Sequence, residues 1–374
     1  MSSTSPVVGA PVPAPGGRGT RAVIDLSAFE DNLAVLRAHC GQGRVMAVVK
    51  ANAYGHGIEP VVRTLAGVDG FAVATLGEAE RVRSVTKRHP VLLLEGVLGA
   101  EELEAAAALD LWITVHSPWQ IDLIEAARPR QPLRVWLKVD TGMNRLGFRM
   151  SDAPGALARL RACSHVDGDV VLMSHLANAD DLDDPKTLHQ VSRLEDLSES
   201  LDLSVCSLAN SAGALGWPTS RRSWVRVGIG LYGASPLLGR TASDLGLRPA
   251  MTLESTLIAI NRCELGDAVG YGGAWRCPEA MAVGVVGIGY GDGYSRHASN
   301  GTPVDVGGRL CPLVGRVSMD MLCVDLRHVP EARIGDVVQL WGDRLPVETV
   351  ALAAETICYE LLCGVTARVP AIYR

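Results

Sequence analysis

Long apolar runs are missing from this 374-residue chain. The longest candidate, Met281 to Ile288, is short and interrupted by glycine, well below the roughly 18 residues a spanning helix requires. No membrane partner is expected. A surplus of positive charge is missing too. The formal net charge is -6 and the pI about 5.9, and no run of lysines and arginines is interleaved with aromatics, so nucleic acid is not an expected partner. Paired cysteine motifs are absent: the nine cysteines (40, 163, 206, 263, 277, 311, 323, 358 and 363) are odd in number and scattered. Neither a disulfide framework nor a zinc site fits that spacing; small core residues in a reduced cytoplasm fit better. Residues 1–20 lack an apolar stretch and are rich in Ser, Pro and Gly, which reads as a loose, disordered tail and not as a signal peptide.

What is present is core-forming material. A hydrophobic content of 48% over this length suffices for about two domains. After an apolar strand at 21–26 and a helical pattern carrying Leu33, Val35 and Leu36, short β-branched runs alternate with amphipathic helices. Strands are expected at 44–50, 70–75, 91–96, 111–115, 133–140, 169–176, 204–209 and 224–230, with helices such as 76–86, 117–127 and 185–200 between them. Eight strand-helix units predict an α/β fold with a closed (β/α)8 barrel, a TIM barrel, over residues 21–240; an open doubly wound sheet remains the alternative if one strand fails. From 241 to 374 the helices largely disappear. Runs at 251–260, 281–288, 303–306 and 337–340, punctuated by Gly-Asp turns, predict a C-terminal mainly-β domain, with 348–362 as its one helical stretch.

In such a barrel the polar residues at the C-terminal strand ends are the functional candidates, and Lys50, Lys138, Arg145, His175, Asn210, Ser211 and Arg226 lie there. Lys50 closes the buried run of strand 44–50. Partial desolvation at such a position favours the neutral amine that attacks carbonyl groups; the alternative is a surface lysine ending a strand. Asn210-Ser211-Ala212-Gly213 and Val227-Gly228-Ile229-Gly230 follow the last two strands, a common phosphate position in barrels. A phosphate opposite a first-strand lysine suggests pyridoxal phosphate. Arg226, two residues before Gly228, would point the same way. Facing a pyridine nitrogen, an arginine donates and leaves that nitrogen unprotonated, which suits simple proton transfer at Cα; the alternative is a structural arginine paired with a barrel carboxylate. Arg145 could bind a carboxylate or a phenolic oxygen. His175, beside Asn178 and Asp180-Asp181, is expected to hydrogen-bond within the site. Asp180, Asp181, Asp183 and Asp184 lack calcium-loop spacing and read as a solvated turn and helix cap.

The stretches A-V-V-K50-A-N-A-Y54-G-H-G, L-K138-V-D-T-G-M-N-R145-L-G-F, S-H175-L-A-N-A-D, L-A-N210-S211-A-G, V-R226-V-G-I-G-L-Y-G, V-G-Y271-G, I-G-Y290-G-D-G and G-R-V-S-M319-D320 together resemble the alanine racemase family of fold-type III pyridoxal-phosphate enzymes, from Arg21 to the C-terminus. The resemblance implies racemisation of L- and D-alanine, supplying D-alanine for peptidoglycan, by a cytoplasmic homodimer with shared sites. It implies Lys50 as cofactor-bearing lysine and base for one enantiomer, with Tyr271 from the partner chain as base on the opposite face. Tyr54, Ser211, Gly228 and Ile229 match phosphate contacts, with His175 and Asn210 completing the cofactor set. Arg226 matches the arginine at the pyridine nitrogen, and Arg145 one near the phenolic oxygen and the substrate carboxylate. Lys138 matches a lysine that many relatives carry carbamylated. Met319 matches a substrate-carboxylate contact, and Tyr290 and Asp320 match residues lining the entrance. One position departs: some relatives have a tyrosine where Ala367 precedes Arg368-Val369-Pro370. Serine or broader specificity is therefore an alternative to alanine. A decarboxylase or aldolase on the same barrel, and a non-catalytic cofactor-binding protein, are the remaining readings.

Overall fold

The computed structural model describes residues 18–129 and 131–374. The chain divides into two compact units, Asp25–Ala250 and, around a second sheet, Met251–Arg374 with residues 18–24. In chain order the strands are β1 (Arg21–Ile24), β2 (Arg44–Val48), β3 (Gly70–Val73), β4 (Val91–Leu93), β5 (Trp112–Val115), β6 (Arg134–Lys138), β7 (Val171–Met173), β8 (Cys206–Ser207) and β9 (Trp224–Val227). Strands β2 to β9 pair in parallel in sequential order, and β2 closes on β9. The eight-strand expectation therefore holds as a closed barrel. Its strands are buried almost throughout, as a parallel barrel covered by helices requires. Helices lie between successive barrel strands; Leu76–Val85, for instance, begins at a Thr75/Glu78 capping box that satisfies otherwise orphaned backbone groups.

The second unit is built from β10 (Met251–Cys263), β11 (Ala268–Val269), β12 (Trp275–Arg276), β13 (Met281–Val286), β14 (Pro303–Val306), β15 (Arg309–Val314), β16 (Leu322–Asp325), β17 (Val337–Trp341) and β18 (Ala371–Tyr373). Strands β10, β13, β16, β15, β14 and β17 pair in a closed ring, with β1 and β18 extending it beyond β10. The long β10 serves both arrangements because its register shifts between Leu253 and Glu254 and between Leu257 and Ala259, and such bulges bend a strand. Its first seven residues alternate buried with half-buried, the period-2 signature of a sheet with one face packed.

Three expectations about boundaries differ from what is found. Strand β1 was expected with the barrel but pairs with β10 and β18, whereas residues up to Ala250 group with the barrel. Of the expected tail, residues 1–17 lie outside the described residues; from Arg18 the chain is held, with Arg18 on Asp292 at 2.7 Å and the Thr20 hydroxyl donating to Gly287 O at 2.7 Å. The single helical stretch expected at 348–362 is two helices, Val347–Ala353 and Cys358–Gly364. Among the described residues no helix is long and apolar enough to cross a membrane.

Candidate active site

The barrel unit carries the first half of the site. Strand β2 does not run straight into a loop at Lys50. Ala51, Asn52, Ala53 and Tyr54 instead form a left-handed helical turn, each with φ between 50° and 54°. For L-residues this conformation costs about 1–2 kcal/mol per residue, and only Asn52 belongs to a type that visits it readily. Several contacts offset the cost. Gly55 N donates to Ala51 O and Gly57 N to Asn52 O. Glu78 reaches over to accept from Ala51 N at 2.7 Å and from Ala74 N at 3.0 Å. Tyr54 stacks on Tyr232 at 4.5 Å, and the Tyr232 hydroxyl donates to Val48 O at 2.8 Å. His56, fully buried beneath the turn, donates from Nδ1 to Tyr54 O, 2.8 Å away, and burial holds its pKa down to about 4. Lys50, half-buried, is thus the first residue of a segment whose geometry tertiary contacts impose.

Beside β2, at the end of its neighbour β9, Ser211 Oγ accepts from Gly228 N at 2.8 Å and from Gly230 N at 3.3 Å. A Cβ on Gly228 would lie 2.6 Å from the Tyr54 hydroxyl. Gly228, Ser211 and Tyr54 therefore converge on one small cradle, with Ile229 buried immediately behind it. Asn210 adjoins the cradle, where its side-chain oxygen accepts from Gly213 N at 2.9 Å and caps the helical turn Ser211–Gly216.

Arg226 is 3% exposed. It donates to Ser207 Oγ (2.5 Å), Ser174 O (2.8 Å), Leu208 O (3.3 Å) and His175 Nδ1 (3.2 Å). Among the described residues it has no carboxylate partner, which overturns the structural ion-pair alternative. Burial lowers its pKa to about 10, so it stays charged at neutral pH. Since Arg226 can only donate, His175 Nδ1 accepts and its proton sits on Nε2. The same burial, then the charges of Arg226, Lys138, Arg145 and Lys50, hold His175 far below the usual imidazole range. Four cations thus act on one neutral histidine. Lys138, also buried, is lowered to about 7 by burial and then by Arg226 and Arg145, opposed by Asp140. Asp140 itself pins the loop carrying the exposed Arg145, accepting from Gly142 N and Met143 N at 2.8 and 2.9 Å.

A group of cations at the C-terminal end of the barrel, Arg226 and Lys138 buried among them, together with a cradle of backbone N–H, hydroxyl and phenol, suits a phosphate-bearing ligand. It fits pyridoxal phosphate in particular, because a lysine lies at the same barrel end and the buried arginine lacks a carboxylate. Sequence reasoning missed Tyr232, Glu78 and His56, although Tyr232 and His56 stand inside motifs already singled out. In the acidic stretch Asp184 accepts from Lys186 N at 2.9 Å, but the helix Lys186–Ser200 has Pro185 at its cap position and no side-chain cap bond, so the expected helix cap is not formed there.

The β unit carries the remaining candidates. Tyr271 opens a short 3-10 turn between β11 and β12 and is 66% exposed. Met319 is 53% exposed, and Tyr290 lies beside it, with Tyr290 N donating to Ser318 O and Gly291 N to Met319 O. Asp320 and Asp292 are bridged by Arg368 at 2.6 and 3.3 Å. Ala367, the departing position, is exposed next to that arginine.

Both units of the chain match known proteins. The family model described as alanine racemase, N-terminal domain, matches residues 24–236, and that for the C-terminal domain matches residues 250–373. The curated alanine racemase of Nitrosococcus oceani is 51% identical over 94% of this chain and 98% of its own length. Among solved structures, the biosynthetic alanine racemase from Pseudomonas aeruginosa is 46% identical with a TM-score of 0.93, covering 95% of this chain and 99% of that one. The alanine racemase from Bartonella henselae, solved with covalently bound pyridoxal phosphate, is 28% identical with a TM-score of 0.86 over the same shares.

Proposed function

Since the chain belongs to the alanine racemase family, we propose that it interconverts L- and D-alanine with pyridoxal phosphate, using Lys50 and a partner chain's Tyr271 as opposed bases. The observation that carries this reading is the carboxylate-free Arg226 in a cluster of cations beside the Tyr54–Ser211–Gly228 cradle. When bound, the cofactor withdraws electrons from the amino acid and acidifies its α-proton.

The chain's own residues do the rest. Lys50 holds the cofactor through its amine and removes or returns the α-proton on one face. Tyr271 does so on the other, because inversion at Cα needs proton traffic on both faces of a planar centre. Gly228, Ser211, Tyr54 and Ile229 anchor the phosphate. Arg226 donates towards the ring nitrogen and has no proton to give up near neutral pH, so that nitrogen remains unprotonated and the chemistry stays close to proton return at Cα. Its hydrogen bond from the opposite side orients His175 within the cofactor pocket. Arg145 and the backbone of Met319 hold the substrate carboxylate, with Tyr290 and Asp320 at the entrance. The neutral fraction of Lys138 near pH 7 can take up carbon dioxide as a carbamate, which would turn its repulsion of Arg145 into attraction.

Tyr271 and Met319 support the homodimer reading, since large residues this exposed in one unit are what a partner chain covers. The nine cysteines, odd in number and scattered without paired motifs, support a reducing cytoplasm, where D-alanine would be made for the cell wall.

A chiral-chromatography assay of the purified holoenzyme tests the substrate assignment. D-alanine should form from L-alanine faster than D-serine from L-serine. Faster turnover of serine would move the assignment to serine, and release of carbon dioxide without inversion would replace racemase by decarboxylase.

The cradle has its own test. Gly228→Ala sets a methyl against the Tyr54 hydroxyl at 2.6 Å, an overpacking of about 1–3 kcal/mol. Titration of apoprotein with pyridoxal phosphate should show affinity lowered roughly 10- to 100-fold. Unchanged affinity would remove Gly228 from the phosphate site.

A further inference from the structure

Two of the nine thiols meet at the foot of the hairpin that bears Tyr271. Cys263 is the last residue of β10, and Cys277 follows β12 immediately. Between them β11 and β12 pair through Ala268–Arg276 and Val269–Trp275, with Tyr271 in the connecting turn. The backbone closes the foot tightly: Gly266 N donates to Cys277 O at 2.8 Å, and Cys277 N donates to Asp267 O at 2.9 Å. Asp267 folds the chain back after Cys263, accepting from Glu264 N at 2.8 Å. Both side chains turn inward. Cys277 is 2% exposed in a small core with Val269, Met281, Val283 and Val314, and Cys263 packs against that core from its partly open edge. Burial first, and then the neighbouring Cys263 thiol, push the Cys277 thiol up from the usual thiol range.

We propose that Cys263 and Cys277 form a reversible disulfide that cross-links the foot of the Tyr271 hairpin when the protein meets an oxidising small-molecule disulfide. Cys263, the more accessible thiol, attacks the reagent as thiolate and releases one small thiol, leaving a mixed disulfide. Cys277 then loses its proton and attacks the Cys263 sulfur, releasing the second small thiol. The two cysteines lose two protons and two electrons in all, and the reagent disulfide leaves as two thiols. The bond closes a 15-residue loop that is otherwise held by the short β11–β12 ladder, the foot hydrogen bonds and the packing of Val269 and Trp275 on the small core. It therefore restricts the motion of the segment that presents Tyr271. The cross-link stands on its own geometry; its effect on turnover rests on Tyr271 as a base.

The test uses intact holoenzyme incubated with oxidised glutathione and digested with trypsin without reduction. Cleavage after Arg262 and Arg276 places the two cysteines on separate peptides, 263–276 and 277–296. The expected product is these two peptides joined, two hydrogens lighter than their sum and separated by dithiothreitol. Amide exchange over 264–276 should slow roughly tenfold in the oxidised form, and racemisation should fall and return on reduction. Cys263→Ser should show none of these changes, while Cys323→Ser should show them all, since Cys323 packs against the same core but lies outside the hairpin. A map lacking the joined peptides, or joining Cys263 to Cys323, overturns the proposal, as does a joined hairpin whose exchange is unchanged. These readouts do not depend on catalysis. A cross-linked, stiffened hairpin with unaltered turnover would instead count against Tyr271 as base.

Discussion

Lys50→Ala should lower racemisation by about 10⁴-fold or more, the upper end of what a single acid-base group contributes, because one side chain is asked both to hold the cofactor and to carry a proton. The protein should still fold. Lys50 precedes the left-handed turn, so its replacement leaves the contacts of Glu78 with Ala51 and of Tyr54 with Tyr232 in place. Thermal unfolding of the apoprotein should therefore shift by no more than a few degrees. Borohydride treatment of wild-type holoenzyme should fix the cofactor on the tryptic peptide 45–63, and the variant should show no label. The decisive alternative is Lys138, which shares the pocket and whose pKa of about 7 makes it the second nucleophilic amine available. Label on Lys138, or a Lys50→Ala variant that retains activity, would move the covalent role off strand β2.

Tyr271→Phe removes only a hydroxyl from an exposed turn, so stability should change little. The expected effect is one-sided. Solvent deuterium incorporation starting from one enantiomer of alanine should slow by about 10²–10⁴-fold, while incorporation from the other enantiomer, which uses Lys50, is less affected. Equal slowing in both directions, or none, would remove Tyr271 from proton transfer. The same two variants probe the shared site. If Lys50 and Tyr271 come from different chains, a mixed dimer of Lys50→Ala with Tyr271→Phe has one site with both residues intact and one with neither. Equimolar mixing after reversible dissociation should then restore about a quarter of wild-type activity. No recovery would mean that each chain completes its own site.

Much of this was legible in the sequence because its signals are local and repeated. A barrel strand covered on both faces reads as a short β-branched run, and eight such runs at helix-length spacing leave few other closed arrangements. Lys138 and Arg226 could be placed for the same reason, as the strands carrying them run parallel and end at one face of the barrel. The β unit was harder to read. Strands β15 and β16 carry polar or proline interruptions, and β11 and β12 are two residues each. Asn210 was open for a different reason: an asparagine before a Ser-Ala-Gly turn suits an anion contact or a helix cap equally in sequence, and the cap is formed, its side-chain oxygen accepting from Gly213 N.

Composition and periodicity by themselves pointed to the barrel and to the β unit after it, and the resemblance of the motifs supplied the family and the identity of the chemical groups. The tertiary structure alone decided how those groups are poised. Nothing in K-A-N-A-Y calls for four left-handed residues in succession; Glu78, from the next strand-helix unit, and Tyr232, from beyond the last barrel strand, offset that strain. Whether Arg226 pairs with a carboxylate was likewise undecided until its neighbours proved to be Ser207, His175 and two backbone carbonyls. Strand β1 joined the β unit because its partners, β10 and β18, are far along the chain, and long-range pairing of that kind leaves no mark on local sequence.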